Sequence, residues 1–93
     1  MIKTFRDKVT AAVFAGYKVR ALPPEIQQRA REKLMLLHHA VSLHDLRVPP
    51  ANRLEALAGK RNGQYSVRIN RQWRICFVWV DGDIHDVEIT DYH

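Results

Sequence analysis

Hydrophobic residues in this 93-residue chain follow a helical period in the first half and an alternating one in the second. Met1-Ile-Lys-Thr-Phe5 alternates as a short first strand would, with Ile2 inward. Thr4 and Asp7 then have the spacing of a capping box, with Asp in place of the usual Glu. Val9, Ala12 and Val13 recur at helical spacing and Gly16 is a natural stop, so a short helix is expected between them. Leu22-Pro23-Pro24-Glu25 opens a second helix, because proline is tolerated in the first turn and an acid there complements the dipole. Ile26, Ala30, Leu34, Leu37 and Val41 follow at three- and four-residue steps, a stripe that must bury itself. Gln27, Gln28, Arg31 and Glu32 make its solvated back.

Past the second helix the period changes. His44-Asp45-Leu46-Arg47-Val48 is short and semi-alternating, and Pro49-Pro50 halts regular structure. Asn52 to Leu57 is expected to add a short strand before the Gly59–Gly63 loop. From Gln64 to Asn70, Tyr65, Val67 and Ile69 share one face and Ser66, Arg68 and Asn70 the other. After an Asn-Arg-Gln turn, Trp73, Ile75, Phe77 and Trp79 point one way and Arg74, Cys76 and Val78 the other. Asp81-Gly82 is a hairpin signal, and Asp83 to Asp91 forms the last strand. A two-residue turn would pair Phe77 with Asp86. A three-residue turn with a glycine bulge would pair Phe77 with Val87 and Ile75 with Ile89, and it is preferred because it gathers the apolar residues. The expected fold is α+β: one domain over residues 1–93, with two N-terminal helices packed on a twisted antiparallel sheet.

Composition adds little to that architecture and much to function. The chain is 46% hydrophobic and 27% charged, which suits a globular domain of modest core. Its net charge is +5 and its pI about 9.8, favouring phosphate-rich partners and salt-sensitive binding. The charge is not spread evenly. Arg53, Lys60, Arg61, Arg68, Arg71 and Arg74 face one acid, Glu55, between Asn52 and Arg74, and no Lys or Arg follows. A positive stretch so concentrated asks for a polyanion or an acidic partner, and RNA is the expected one. The single Cys76 makes no internal disulfide framework and suits a reducing cytoplasm. No leader and no apolar run of about 18 residues is present, so neither export nor membrane insertion is expected. His38, His39 and His44 lack the thiol or second spaced pair of a metal site, and no metal or other cofactor is expected.

At this point particular residues resemble a known family. Met1-Ile-Lys-Thr-Phe5, Asn52-Arg-Leu-Glu-Ala-Leu57, Gly59-Lys-Arg-Asn-Gly63, Trp73-Arg74-Ile75, Asp81-Gly82 and the closing Asp91-Tyr92-His93 stand in the order seen in the RelE/ParE superfamily of bacterial type II toxins. The match looks closest to the HigB branch and, within it, to GraT-like members that share Arg-Leu-Glu-Ala-Leu. The resemblance implies a ribosome-dependent endoribonuclease that cleaves messenger RNA in the A site of the bacterial ribosome. It also implies a helix-turn-helix antitoxin similar to HigA, with operator DNA bound through the toxin–antitoxin complex.

Metal-free cleavage of that kind needs a base for the ribose 2′-hydroxyl, positive charge for the crowded phosphate, and an acid for the leaving 5′-oxygen. Carried over residue by residue, the resemblance makes Arg74 the transition-state clamp, with Arg61 a second, loop-borne phosphate contact. His93 becomes the acid or base, Tyr92 a stacking or proton-transfer group, and Asp91 an orienting group. Related toxins often have His where this chain has Glu55 and Lys where it has Ala58, so either Glu55 is a replacement base or activity is weaker or differently ordered. Lys60, Arg53, Arg68 and Arg71 are assigned to RNA phosphates. Without the resemblance the same residues read more plainly: Arg74 pairs with Glu88 or Asp91 at the surface, and Glu55 pairs with Arg53 or Arg61. His93 is then a frayed end, and Trp73 and Trp79 belong to the core. Two other functions stay open: a ParE-like inhibitor of DNA gyrase, and a non-catalytic RNA-binding or regulatory subunit.

Overall fold

The computed structural model describes residues 1–91. Two helices, α1 (Lys8–Phe14) and α2 (Pro24–His39), precede four strands: β1 (Glu55–Ala56), β2 (Tyr65–Arg68), β3 (Trp73–Val80) and β4 (Asp83–Asp91). The strands pair antiparallel in the order β1-β2-β3-β4. Three 3-10 turns, at Leu43–Arg47, Pro50–Asn52 and Gly59–Arg61, fill the connections around β1. The Leu43–Arg47 stretch is therefore a turn and not an extended piece; Asp45 closes it by accepting from the Val41 and Ser42 amides. Those two bonds hold the Asp45 carboxyl below its ordinary range.

The helices cover one face of the sheet. Ile26, Ala30, Leu34 and Leu37 of α2 are buried with Val67, Ile69, Ile75, Phe77, Ile84, Val87 and Ile89. Thr10 of α1 is fully buried and its hydroxyl accepts from the Ile89 amide, tying that helix to β4. The apolar stripe stops short of expectation: α2 ends at His39, and Val41, beyond it, is 82% exposed. Gln27 also leaves the solvated back, because its side chain bonds the Val19 amide and the Val19 and Leu22 carbonyls.

The N-terminal residues run parallel to β4 through two isolated bridges, Ile2 with Ile84 and Phe5 with Val87, and form no continuous strand. The reason lies in β4. Asp86 adopts φ 54°, a left-handed conformation that inserts an extra residue opposite Phe77. Its amide donates to the Thr4 hydroxyl at 2.8 Å, so Thr4 serves the bulge and Asp7 caps α1 alone, accepting from the Thr10 amide.

The same bulge corrects the last hairpin. Val80 pairs with Asp83 across a two-residue turn in which Asp81 and Gly82 both have positive φ. The turn is thus shorter than preferred, yet Ile75 still pairs with Ile89 as burial requires. The extra residue sits within the strand, where it returns Val87 and Ile89 to the face of Ile84.

Candidate active site

The face of the sheet turned away from the helices carries Arg74 and Cys76 on β3, Ser66 and Arg68 on β2, and Glu88 and Thr90 on β4. Register brings them together: Arg74 pairs with Arg68 and Thr90, and Cys76 pairs with Ser66 and Glu88. The segment from Pro50 to Gly63 borders this face, because β1 pairs Glu55 with Ser66 and Ala56 with Tyr65.

Arg74 is at the centre and is only 6% exposed. Its Nε donates to Ser66 Oγ at 2.8 Å, and one terminal nitrogen donates to the Arg53 carbonyl at 2.8 Å. That nitrogen also lies 3.8 Å from the Glu55 carboxylate, whose side chain is 49% exposed. The Arg53 carbonyl reaches inward because Arg53 closes the Pro50–Asn52 turn in a left-handed conformation, φ 45°. Such a backbone costs about 1 kcal/mol or more outside glycine and persists where surrounding contacts hold it. Asn52 supplies that hold: it is 1% exposed, donates to the Leu46 and Val48 carbonyls and accepts from Lys33. Ser66 Oγ and the Arg53 carbonyl thus anchor a desolvated guanidinium, whose charge acts more strongly on a nearby phosphate than it would in water.

Beside Arg74 lies a recess of about 370 Å³, floored by Cys76 and Thr90 and rimmed by Leu57, Ala58, Lys60 and Arg61. Burial pushes the Cys76 thiol above its ordinary value, with the Thr90 hydroxyl and then the Arg61 charge opposing only in part. The thiol is therefore a neutral floor and a poor nucleophile.

The ion pairs differ from the plain expectations. Glu88 takes Arg61, at 3.1 Å, and Glu55 takes Arg74. Arg61 also donates to Gln64 at 3.0 Å, so its guanidinium is fixed at the recess rim. Lys60 stands exposed beside it. Asp91 pairs with Trp73, on the other side of the strand alternation from Arg74, and accepts from Gln72 at 3.1 Å. Tyr92 and His93 lie outside the described residues. Arg53, Arg68 and Arg71 line a second cleft with Arg29 and Lys33 of α2. No three His, Cys, Asp or Glu side chains converge among the described residues.

Sequence reasoning missed Ser66 as the anchor of Arg74, although alternation had already put both on one face. It missed Arg29 and Lys33 because helical periodicity says only that they are outside, not what they lie beside.

The model of the HigB-like toxin family, described as the RelE-like toxin of the type II toxin–antitoxin system HigB, matches residues 3–93. The chain is 40% identical to Toxin HigB-1 of Vibrio cholerae over 83 residues, covering 88% of this chain and 87% of that one. It is 28% identical to Endoribonuclease HigB of Proteus vulgaris over the full length of both. In fold it is similar to YafQ of E. coli, with a TM-score of 0.62 and 13% identity over 98% of this chain and 91% of that one. It is similar also to a chain of the YoeB–YefM complex from Staphylococcus aureus, with a TM-score of 0.57 and 16% identity over 100% and 98%.

Proposed function

This chain belongs to the HigB-like family of RelE-like toxins from type II toxin–antitoxin systems, and on that premise we propose that it is an endoribonuclease cutting messenger RNA in the ribosomal A site. The observation that carries the proposal is Arg74: a buried, permanently charged fork held by neutral oxygens, 3.8 Å from a solvent-accessible carboxylate. A protein that only bound a partner would gain little from that arrangement. The relative from Proteus vulgaris, which this chain matches from end to end, bears the name of an endoribonuclease.

In the proposed reaction the ribose 2′-oxygen attacks the adjacent phosphorus. Glu55 takes the 2′-hydroxyl proton, Arg74 stabilises the charge gathering on the phosphate oxygens, and the bond to the 5′-oxygen breaks. His93 is proposed to protonate that leaving oxygen, and Tyr92 to hold the neighbouring base. Asp91, through its bond with Gln72, would keep the end of β4 against the Asn70–Trp73 turn and so orient the residues that follow. The products are a 2′,3′-cyclic phosphate and a 5′-hydroxyl. Arg61 and Lys60 would contact phosphates from the recess rim, and Arg53, Arg68 and Arg71 from the second cleft. A HigA-like helix-turn-helix antitoxin is the proposed partner, with operator DNA reached through the complex, in the bacterial cytoplasm.

Mapping message ends in a reconstituted translation reaction tests this reading. New 5′ ends that appear only when ribosomes, message and toxin are together are the expected result. Intact messages alongside arrested translation would contradict it, and inhibition of DNA gyrase by the purified chain would then identify the ParE-like alternative.

A further inference from the structure

Five cations meet in the cleft between the middle of α2 and the turn from β2 to β3. Arg29 and Lys33 come from α2, Arg53 from the Pro50–Asn52 turn, Arg68 from β2, and Arg71 from the turn itself. The cleft measures about 520 Å³, and no carboxylate of the described residues lines it. None of the five pairs with an acid among the described residues. Three are held instead by neutral oxygens: Arg29 by the Ile69 carbonyl, Arg68 by the Asn70 carbonyl and Lys33 by the buried Asn52 side chain. Burial first, and then the Arg29 charge, lower the affinity of Lys33 for its proton, with Glu32 opposing. A cleft lined by one sign of charge focuses its field and concentrates anions from solution.

Arg53 joins the cleft to the catalytic face. Its carbonyl receives Arg74 while its own side chain lines the cleft. We propose that the cleft is a track for the sugar-phosphate backbone of the RNA strand where it leaves Arg74, with Arg29 and Lys33 of α2 as its outer phosphate contacts. The inference rests on RNA being the substrate. Two features favour RNA over an acidic protein segment. Four of the five cations are arginines, whose forks suit phosphate oxygens. Of the described residues lining the cleft only Ala51 and Ile69 have apolar side chains, whereas a docking peptide segment needs apolar anchors.

The test is fluorescence anisotropy with a short labelled single-stranded RNA, 2′-O-methylated throughout so that it cannot be cut. Arg29→Gln/Lys33→Gln should weaken binding about tenfold and make the salt dependence shallower by roughly 1.4 log units per log unit, the value for two lost phosphate contacts. Lys33→Gln also removes a contact to Asn52, so Arg29→Gln/Arg71→Gln, which spares it, should show the same loss. Lys3→Gln/Lys8→Gln removes equal charge from exposed positions outside the cleft and should change affinity by less than about threefold. Equal losses in cleft and control variants would overturn the track and leave only net charge. If a polyglutamate peptide loses affinity in the cleft variants while the RNA does not, the cleft is a dock for an acidic protein and the inference falls. The nuclease reading stands or falls separately. Cleavage with RNA affinity unchanged in the cleft variants sinks the track alone, and affinity loss in a chain that never cuts sinks the nuclease alone.

Discussion

Replacing Arg74 with alanine should slow message cleavage by about 10²–10³-fold, the usual loss when one preorganised donor to a developing anion is removed. Arg74→Lys should lose nearly as much. Lysine keeps the charge, but its single ammonium cannot reach Ser66 Oγ and the Arg53 carbonyl together while presenting a flat fork to phosphate. Because Arg74 is buried, the alanine variant also leaves Ser66 and the Arg53 carbonyl without their donor, at about 1–3 kcal/mol in stability. Thermal denaturation run beside the kinetics separates the two effects. A modest drop in Tm with a folded baseline at the assay temperature assigns the rate loss to chemistry. Cleavage within a few-fold of wild type would remove Arg74 from the mechanism.

The second large effect is expected at Glu55. If its carboxylate takes the 2′-hydroxyl proton, Glu55→Gln should lower the cleavage rate by about 10²–10⁴-fold while leaving RNA affinity nearly unchanged. Stability should hardly move, since the side chain is half exposed and its pair with Arg74 is long at 3.8 Å. Glu55→Ala with added formate gives a sharper reading. A small carboxylate that enters the vacated space and restores cleavage would act as the missing base. A Gln variant that cuts at the wild-type rate would return Glu55 to the role of a surface partner for Arg74.

Much of the scaffold for these residues was legible in the sequence because one-dimensional periods encode it. Alternation from Gln64 to Trp79 put Arg74, Ser66 and Arg68 on one face, and the structure keeps them there. The Pro24 helix start and the Gly16 stop also hold. What escaped was decided across the chain. Ile84, Val87 and Ile89 break strict alternation by one residue, and sequence reasoning placed that residue in the turn. The structure places it at Asp86, where the Thr4 hydroxyl, distant in sequence, receives the amide. The ion pairs escaped for the same reason. Glu88 lies beside Cys76 in the sheet, so it takes Arg61 from the loop and leaves Arg74 to Glu55. The five-cation cleft is likewise a product of packing, since α2 and the β2–β3 turn are neighbours only in the folded chain. Tyr92 and His93, which the resemblance placed at the site, are assigned on that ground alone.

The central claim is that Arg74 and Glu55 serve a 2′-hydroxyl attack on phosphate. Its most direct test is a message carrying a single 2′-deoxy ribose on the 5′ side of the mapped scissile bond, translated with the wild-type chain. This message should survive at that position, while the all-ribose message is cut there and ends in a 2′,3′-cyclic phosphate. Cleavage of the deoxy-substituted message at an unchanged rate would mean that water or another nucleophile attacks, and the roles given to Glu55 and Arg74 would have to be abandoned.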